Sequence, residues 1–349
     1  MHLNITQVKH IVFVLLAIVL IVAFMYILKP LLIPLVIACL LAFLLFPIYE
    51  KLTSWRLPKI VAAAICVLCS VLLGLGLASI MVWQLTGFAN DFELIKTNFA
   101  SSTADLLAWV EQTTHFSKRE QMAMLQTRMK ESVSSFTGYA FSAVNAVLSI
   151  MLNATLIAIY TFLLLIYHQK FNRILTLIIK DKEKLEASRE VILAISQVGK
   201  FFLKGTLLDV LIISALSAIG FLIIGLKQAI FLGILLAVLN IVPYVGATLG
   251  AVIPLFVGLI YNNDWKIGLL AVVVCVVVQF IDNNFVMPKV VGNSVSINPL
   301  FSTLALISGF LLWGVPGMIL SIPLMGIFKV VCDHVEELKP LGYLLSEKD

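Results

Sequence analysis

Eight apolar blocks constrain this chain before anything else does: residues 11–28, 31–49, 60–83, 141–168, 205–226, 228–260, 267–283 and 299–331. Each approaches or exceeds the roughly 18 residues that a helix needs to enter and cross a bilayer. A soluble core could not bury them all. The composition agrees, with 61% hydrophobic and 12% charged residues and a mean hydropathy of +1.07, against roughly 25% charged in soluble domains. Ten-residue alternating runs punctuated by turns, the mark of an outer-membrane barrel, do not recur. The expected fold is therefore all-α: a polytopic helical membrane protein. The first block follows a short start with Lys9 and His10 and has no small-residue cleavage site, so it is read as a retained helix.

Basic residues in short loops stay preferentially on the cytoplasmic side. Lys51, Arg56 and Lys59 follow the second block, and Lys170, Arg173, Lys180, Lys182, Lys184, Arg189 and Lys200 follow the fourth. Both loops are read as cytoplasmic, which puts the N- and C-termini inside. The expected organisation is N-terminal membrane helices at 1–83, an extracytoplasmic helical subdomain at 84–140 and a membrane helix at 141–168. A cytoplasmic amphipathic linker at 169–203, a C-terminal transport core at 204–331 and a tail at 332–349 complete it. The subdomain reading rests on the helical spacing of Phe88, Phe92, Ile95 and Phe99. The net charge of +5 is dispersed beside membrane segments rather than gathered in one patch, so lipid, not nucleic acid, is the expected partner.

Block 228–260 is 33 residues long, and a straight helix of that length reaches roughly 50 Å against a hydrocarbon core of about 30 Å. It must tilt or break. Asn240-Ile241-Val242-Pro243-Tyr244-Val245-Gly246, followed by Gly250 and Pro254, places interrupting residues at its middle. The last block repeats the theme: it starts at Asn298-Pro299 and carries Gly309, Trp313-Gly314-Val315-Pro316-Gly317 and Pro323. Both contain Ile-Pro-Leu, at 253–255 and 322–324. Paired interrupted segments point to a transporter's solute site, because broken helices expose backbone donors and carbonyls at membrane depth. Two topologies fit: eight spans, or six spans with two re-entrant hairpins.

Polar residues inside the apolar blocks are the remaining candidates. Gln279, Asp282 and Asn283 fall on one helical face and could coordinate a cation or bond a polar solute. Met287-Pro288-Lys289-Val290-Val291-Gly292 then reads as a stiff turn. Asp209 lies about 7.5 Å deeper than Lys204 along the fifth helix, and a membrane carboxylate is a functional candidate by default. Gly205 and Gly220 share its face and predict a close helix neighbour. The five cysteines and five histidines form no convincing metal site, and Cys66-x-x-Cys69 reads as packing. No cofactor is expected.

These motifs together resemble the autoinducer-2 exporter family, the PerM-like permeases of bacterial inner membranes. The resemblance rests on Leu239-Asn240-Ile241-Val242-Pro243-Tyr244-Val245-Gly246, on Gln279-x-x-Asp282-Asn283-x-x-Val286-x-Pro288-Lys289-Val290-Val291-Gly292 running to Asn298-Pro299, and on Gly314-x-Pro316-Gly317 with Ile322-Pro323. It implies a multi-pass exporter or permease assembled as a homo-oligomer, with some relatives acting as sodium or lithium/proton antiporters. It also implies that many relatives carry an acid where this chain has Asn240.

The expected function is secondary-active export of a small solute or signalling molecule by alternating access. A sodium(lithium)/proton antiporter using Asp209 or Asp282 is the alternative, and a non-transporting envelope scaffold a further one. No phosphate-cradling loop, His-Glu-x-x-His pair or Gly-x-Gly-Asp signature is present, so an enzyme is not expected.

Overall fold

A computed structural model describes residues 5–90, 153–170, 173–174, 177–178, 181–242, 245–290 and 297–347. Beyond Asn90 the expected extracytoplasmic subdomain lies outside the described residues, as do residues 141–152 of the fourth block, Pro243, Tyr244 and Gly292. The described elements are helices, with one isolated antiparallel bridge between Ile297 and Ser346. The fold is all-α. Five helices among the described residues are long and apolar enough to cross a membrane: Lys29–Ser54, Lys59–Ile80, Leu185–Ile223, Trp265–Val290 and Pro299–His334. With exposed apolar side chains such as Leu211, Ile219, Leu222, Val273, Val276 and Phe280, this is a multi-pass membrane protein whose outer surface is made for lipid.

The chain divides into two compact units. The first comprises Met1–Val67, Leu156–Leu203 and Ser294–Asp349, and the second Leu68–Thr155 and Lys204–Asn293.

In the first unit, helices α1 (Ile5–Ile27) and α2 (Lys29–Ser54) are separated by Leu28 alone. Pro30 stands in the first turn of α2, where its missing N–H costs nothing. Helix α3 (Lys59–Asn90) starts in this unit and continues into the other. Helix α4 covers residues 153–170.

Helix α5 (Lys182–Ile223) has 42 residues, about 63 Å, twice the depth of a hydrocarbon core. Part of it must stand outside the bilayer. Its first part belongs to the first unit and the rest to the second.

The second unit is built by close contact between α5, α6 (Ala229–Asn240), α7 (Val245–Tyr261) and α8 (Trp265–Ile281). Gly225, at φ +71°, ends α5: Leu226 N–H reaches back to Phe221 O at 2.9 Å, closing the helix end in the left-handed turn that glycine favours. Glycines then let backbones meet. A Cβ on Gly233 would strike the Ala218 backbone, one on Gly258 the Gly268 backbone, and one on Gly220 the Val274 side chain. The contact expected at Gly220 is therefore made, by α8.

Phe221, Ile213, Leu232, Val257 and Ala271 fill the centre. At one end Asn262 accepts from Lys227 N–H at 3.0 Å and donates to Gly225 O at 2.8 Å, while Lys227 Nζ donates to Tyr261 O. Block 228–260 thus starts and finishes at the same end of the unit.

The block breaks between Asn240 and Val245, as its sequence predicts. It does not break at Pro254, which stays inside α7. Proline removes the N–H that would bond the carbonyl four residues back, here Gly250 O, and the Cys275 thiol donates to that oxygen at 3.3 Å instead. A neighbouring helix has repaired the gap.

The glycine contacts carry a prediction. Gly258→Ala should destabilise the detergent-solubilised protein by about 1–3 kcal/mol, because the Gly268 backbone cannot retreat. Gly76→Ala, facing open space in α3, should be neutral or stabilising by up to about 1 kcal/mol. Thermal unfolding of the two variants checks the pair, and equal shifts would contradict the packing argument.

Candidate functional site

In the second unit the polar site forms where α6 stops. Twelve residues make α6 about 18 Å long, so Asn240 lies deep in the unit, far from the Lys227–Asn262 end. Asn240 Nδ2 donates to Asp282 Oδ2 at 2.7 Å. Gln279 Nε2 makes a longer contact to the same oxygen at 3.4 Å and another to Asn283 Oδ1 at 3.3 Å. Asp209, from α5, lies beside the Asp282 carboxylate and the Asn240 amide. Asp209 and Asp282 are 6% and 3% exposed, and the Oδ1 atom of each is buried without a hydrogen-bond partner.

Local structure explains how Asp282 comes to face inward. Helix α8 does not continue as an α-helix. It widens into a π-helical stretch, Asp282–Val286, before a last helical turn, α9 (Met287–Val290). Only Asp282 and Val286 of the stretch are buried, while Asn283 and Asn284 are exposed. The expected stiff turn at Met287 to Val290 is thus helical, since Pro288 sits in its first turn where a proline fits. Single-turn π segments recur at functional sites.

The first unit has its own break. Helix α10 (Pro299–His334) is interrupted at Gly314, whose φ of 67° and ψ of −146° are open essentially to glycine. The chain doubles back there. Gly309 and Gly317 touch so closely that a Cβ on either would overlap the other's carbonyl oxygen, and a Cβ on Gly309 would also press on Ser321.

Asn298 caps the start through Leu300 N–H at 3.0 Å, and its own N–H donates to Leu345 O at 2.8 Å. Both ends of the doubled helix therefore lie together, closed by α11 (Lys339–Leu345). Trp313, beside the break, donates from Nε1 to Met25 O at 3.0 Å, a carbonyl in the last turn of α1. A cavity of about 230 Å³ follows the hairpin, touched by Gly309, Trp313, Gly317, Ser321 and Met25.

Comparison with known proteins decides the family. The pattern of the AI-2E family transporter matches residues 15–337. The chain belongs to the AI-2E transporter family. It is 28% identical over 323 residues to YueF of Bacillus subtilis (strain 168), covering 88% of this chain and 84% of YueF. It is 26% identical to YrrI of the same organism, over 89% of this chain and 88% of YrrI. It is 24% identical to the AI-2 transport protein TqsA of Escherichia coli (strain K12), over 90% of this chain and 89% of TqsA. The molecule is a membrane transporter.

Within this AI-2E transporter the candidate residues separate. Asp209, Asn240, Gln279 and Asp282 come together. Asn283 touches Gln279 from an exposed position. Gly246 packs on the Asn240 backbone and Gly250 on Leu236. Pro288, Pro299 and Pro316 are exposed, Gly314 makes the second break, and Gly317 lines its cavity.

The sequence reading passed over a second feature of the first unit. His168 Nδ1 approaches Leu165 O at 2.7 Å, and the ring lies edge-on to Phe46 and Tyr49, with centroids 5.1 and 5.6 Å away. A cavity of about 350 Å³ runs beside it along Cys39, Phe43, Leu164 and Ser196. Its only signal was one histidine ending an apolar block.

Gly314→Ala should cost about 1–3 kcal/mol, the strain of holding a Cβ in that conformation. A lowered unfolding midpoint without loss of helical circular dichroism is the expected result. An unchanged midpoint would mean that the backbone at 314 is not held as described.

Proposed function

We propose that this transporter exports a small polar solute, of the size and polarity of autoinducer-2, across the bacterial inner membrane by secondary-active alternating access. The observation that carries the proposal is the pair of broken hairpins, one ending at Asn240 beside buried acids and one turning at Gly314 beside a cavity. Each break frees peptide groups inside an apolar segment, where they serve a solute in place of water. With both ends of each hairpin on one side of its unit, the reading we favour is six spans and two re-entrant hairpins. Asn240, Pro243, Tyr244, Gly246, Gln279, Asp282 and Asn283 serve at the first tip, and Gly314 and Gly317 at the second. The termini are taken as cytoplasmic, and the working form as a homo-oligomer. The name of TqsA, an AI-2 transport protein, supports the solute class.

Energised inside-out vesicles with and without the protein test this directly. Incubated with a cell-metabolite extract and compared by untargeted mass spectrometry, loaded vesicles should accumulate at least one small polar solute. Asn240→Ala should reduce that accumulation about tenfold or more, a loss of at least roughly 1.4 kcal/mol of transition-state or binding energy. Identical contents with and without the protein would reject export.

The meeting of Asp209 and Asp282 favours one second reading, in which sodium or lithium exchanges with protons at these acids. Reconstituted vesicles carrying a pH dye should then show sodium-dependent proton flux that Asp282→Asn abolishes. No such flux, or flux untouched by the substitution, removes the antiporter reading.

A further inference from the structure

Two acids from separate helices occupy one dry place, and the groups around them do not balance their charge. The donors directed at Asp282 Oδ2 are amides, Asn240 Nδ2 and Gln279 Nε2. Neither acid takes part in the ion pairs Lys329–Asp333 and Lys339–Glu336.

The titratable groups on the packed elements lie elsewhere. On α5, Lys204 is exposed, five residues from Asp209 and on a different face. Helix α6 carries none. Tyr261 and Lys266 stand at the far end of α7 and α8, Cys275 is bonded to Gly250 O, and Lys289 of α9 is exposed. Two ionised carboxylates side by side away from water repel each other strongly, and each also loses its hydration.

We propose that Asp209 and Asp282 hold one exchangeable proton between them, and that Asn240 couples its presence to the broken tip of the first hairpin. The proton sits on a carboxyl oxygen of one acid and is donated to a carboxylate oxygen of the other, leaving a single negative charge that the Asn240 amide stabilises. On release the proton passes to water entering the site, and no other bond changes. The two acids then carry like charges and a single Asn240 amide between them, so they separate.

Asp282 is the acid free to move, because it opens a π-helical stretch that can return to α-helical winding, whereas Asp209 lies inside the uninterrupted α5. Movement of Asp282 removes the partner of Asn240, the last residue of α6, and releases Ile241 and Val242 that follow it. The coupling clause rests on the reading of that tip as part of the solute path. The proton itself does not.

Infrared spectroscopy of the purified full-length protein in nanodiscs at neutral pH tests the proton without any solute. A protonated-carboxyl stretch should be present in the unmodified protein and absent from the Asp209→Asn/Asp282→Asn double variant. Each single variant should shift or remove it, since each replaces one of the two sharers. A band left unchanged by either single substitution, or by the double one, overturns the shared proton.

Maleimide labelling at position 242, in a Val242→Cys variant whose five native cysteines are replaced by serine or alanine, tests the coupling. Divided at each pH by the rate of an exposed reference cysteine, which removes the thiolate's own pH dependence, labelling should accelerate several-fold as rising pH removes the band, and Asn240→Ala should keep the band but make that ratio independent of pH. A flat ratio with Asn240 in place overturns the coupling. If the vesicles move no solute while the band behaves as expected, the transport reading fails and the proton stands.

Discussion

A peptide group with no partner in an apolar surrounding costs several kcal/mol, and the arrangement of this transporter follows from where it meets that cost. Most of the chain avoids it by winding into uninterrupted helices. At Asn240–Val245 and at Gly314 the winding stops inside apolar segments. Around each stop the chain approaches itself closely, Gly246 on the Asn240 backbone and Gly309 on Gly317. At Pro254, where winding continues, the Cys275 thiol donates to Gly250 O in place of the missing N–H. The contrast identifies the two breaks as positions the fold maintains, since a proline alone, suitably partnered, does not produce one.

Maintaining them requires backbones to approach more closely than side chains permit. In the second unit the contacts of Gly233 with Ala218 and of Gly258 with Gly268 bring α5, α6, α7 and α8 together, so that α6 is held in place although it is too short to cross a bilayer. In the first unit Gly309 against Gly317 does this for the two limbs of α10. Lipid gives no hydrophobic drive for such association, since acyl chains are as apolar as leucine, and close packing of small residues supplies it instead. In the first unit Gly309 and Gly317 stand on either side of the break at Gly314, and the cavity lies along them.

Much of this was legible in the sequence, and the reasons are local. Overlong apolar runs required breaks, and Asn240 to Gly246 and Trp313 to Gly317 concentrated the residues that make them. Gly220, on the face of Asp209, correctly announced a close helix. What stayed hidden depends on distance along the chain. Nothing near Asp209 says that it meets Asp282 rather than water or lipid, because the meeting is set by the packing of α5 on α6 and α8. The π-helical stretch that turns Asp282 inward and Asn283 outward was invisible to a regular helical wheel, which put both on one face. Pro254 looked like a breaker because its repair comes from α8, and His168 looked isolated because Phe46 and Tyr49 come from α2.

The choice of an amide at position 240 follows from the same electrostatics. An ionised carboxylate only accepts hydrogen bonds, so an acid there would add a third negative charge beside two acids that already lack a counter-charge. An amide donates through Nδ2, as it does to Asp282, and still offers Oδ1 as an acceptor to a protonated Asp209 or to a solute hydroxyl. It is also uncharged, so moving it with the hairpin tip carries no charge through the apolar interior. Asn240 can therefore exchange partners at little electrostatic cost, which a residue at the end of a broken helix must do if that helix end is to move.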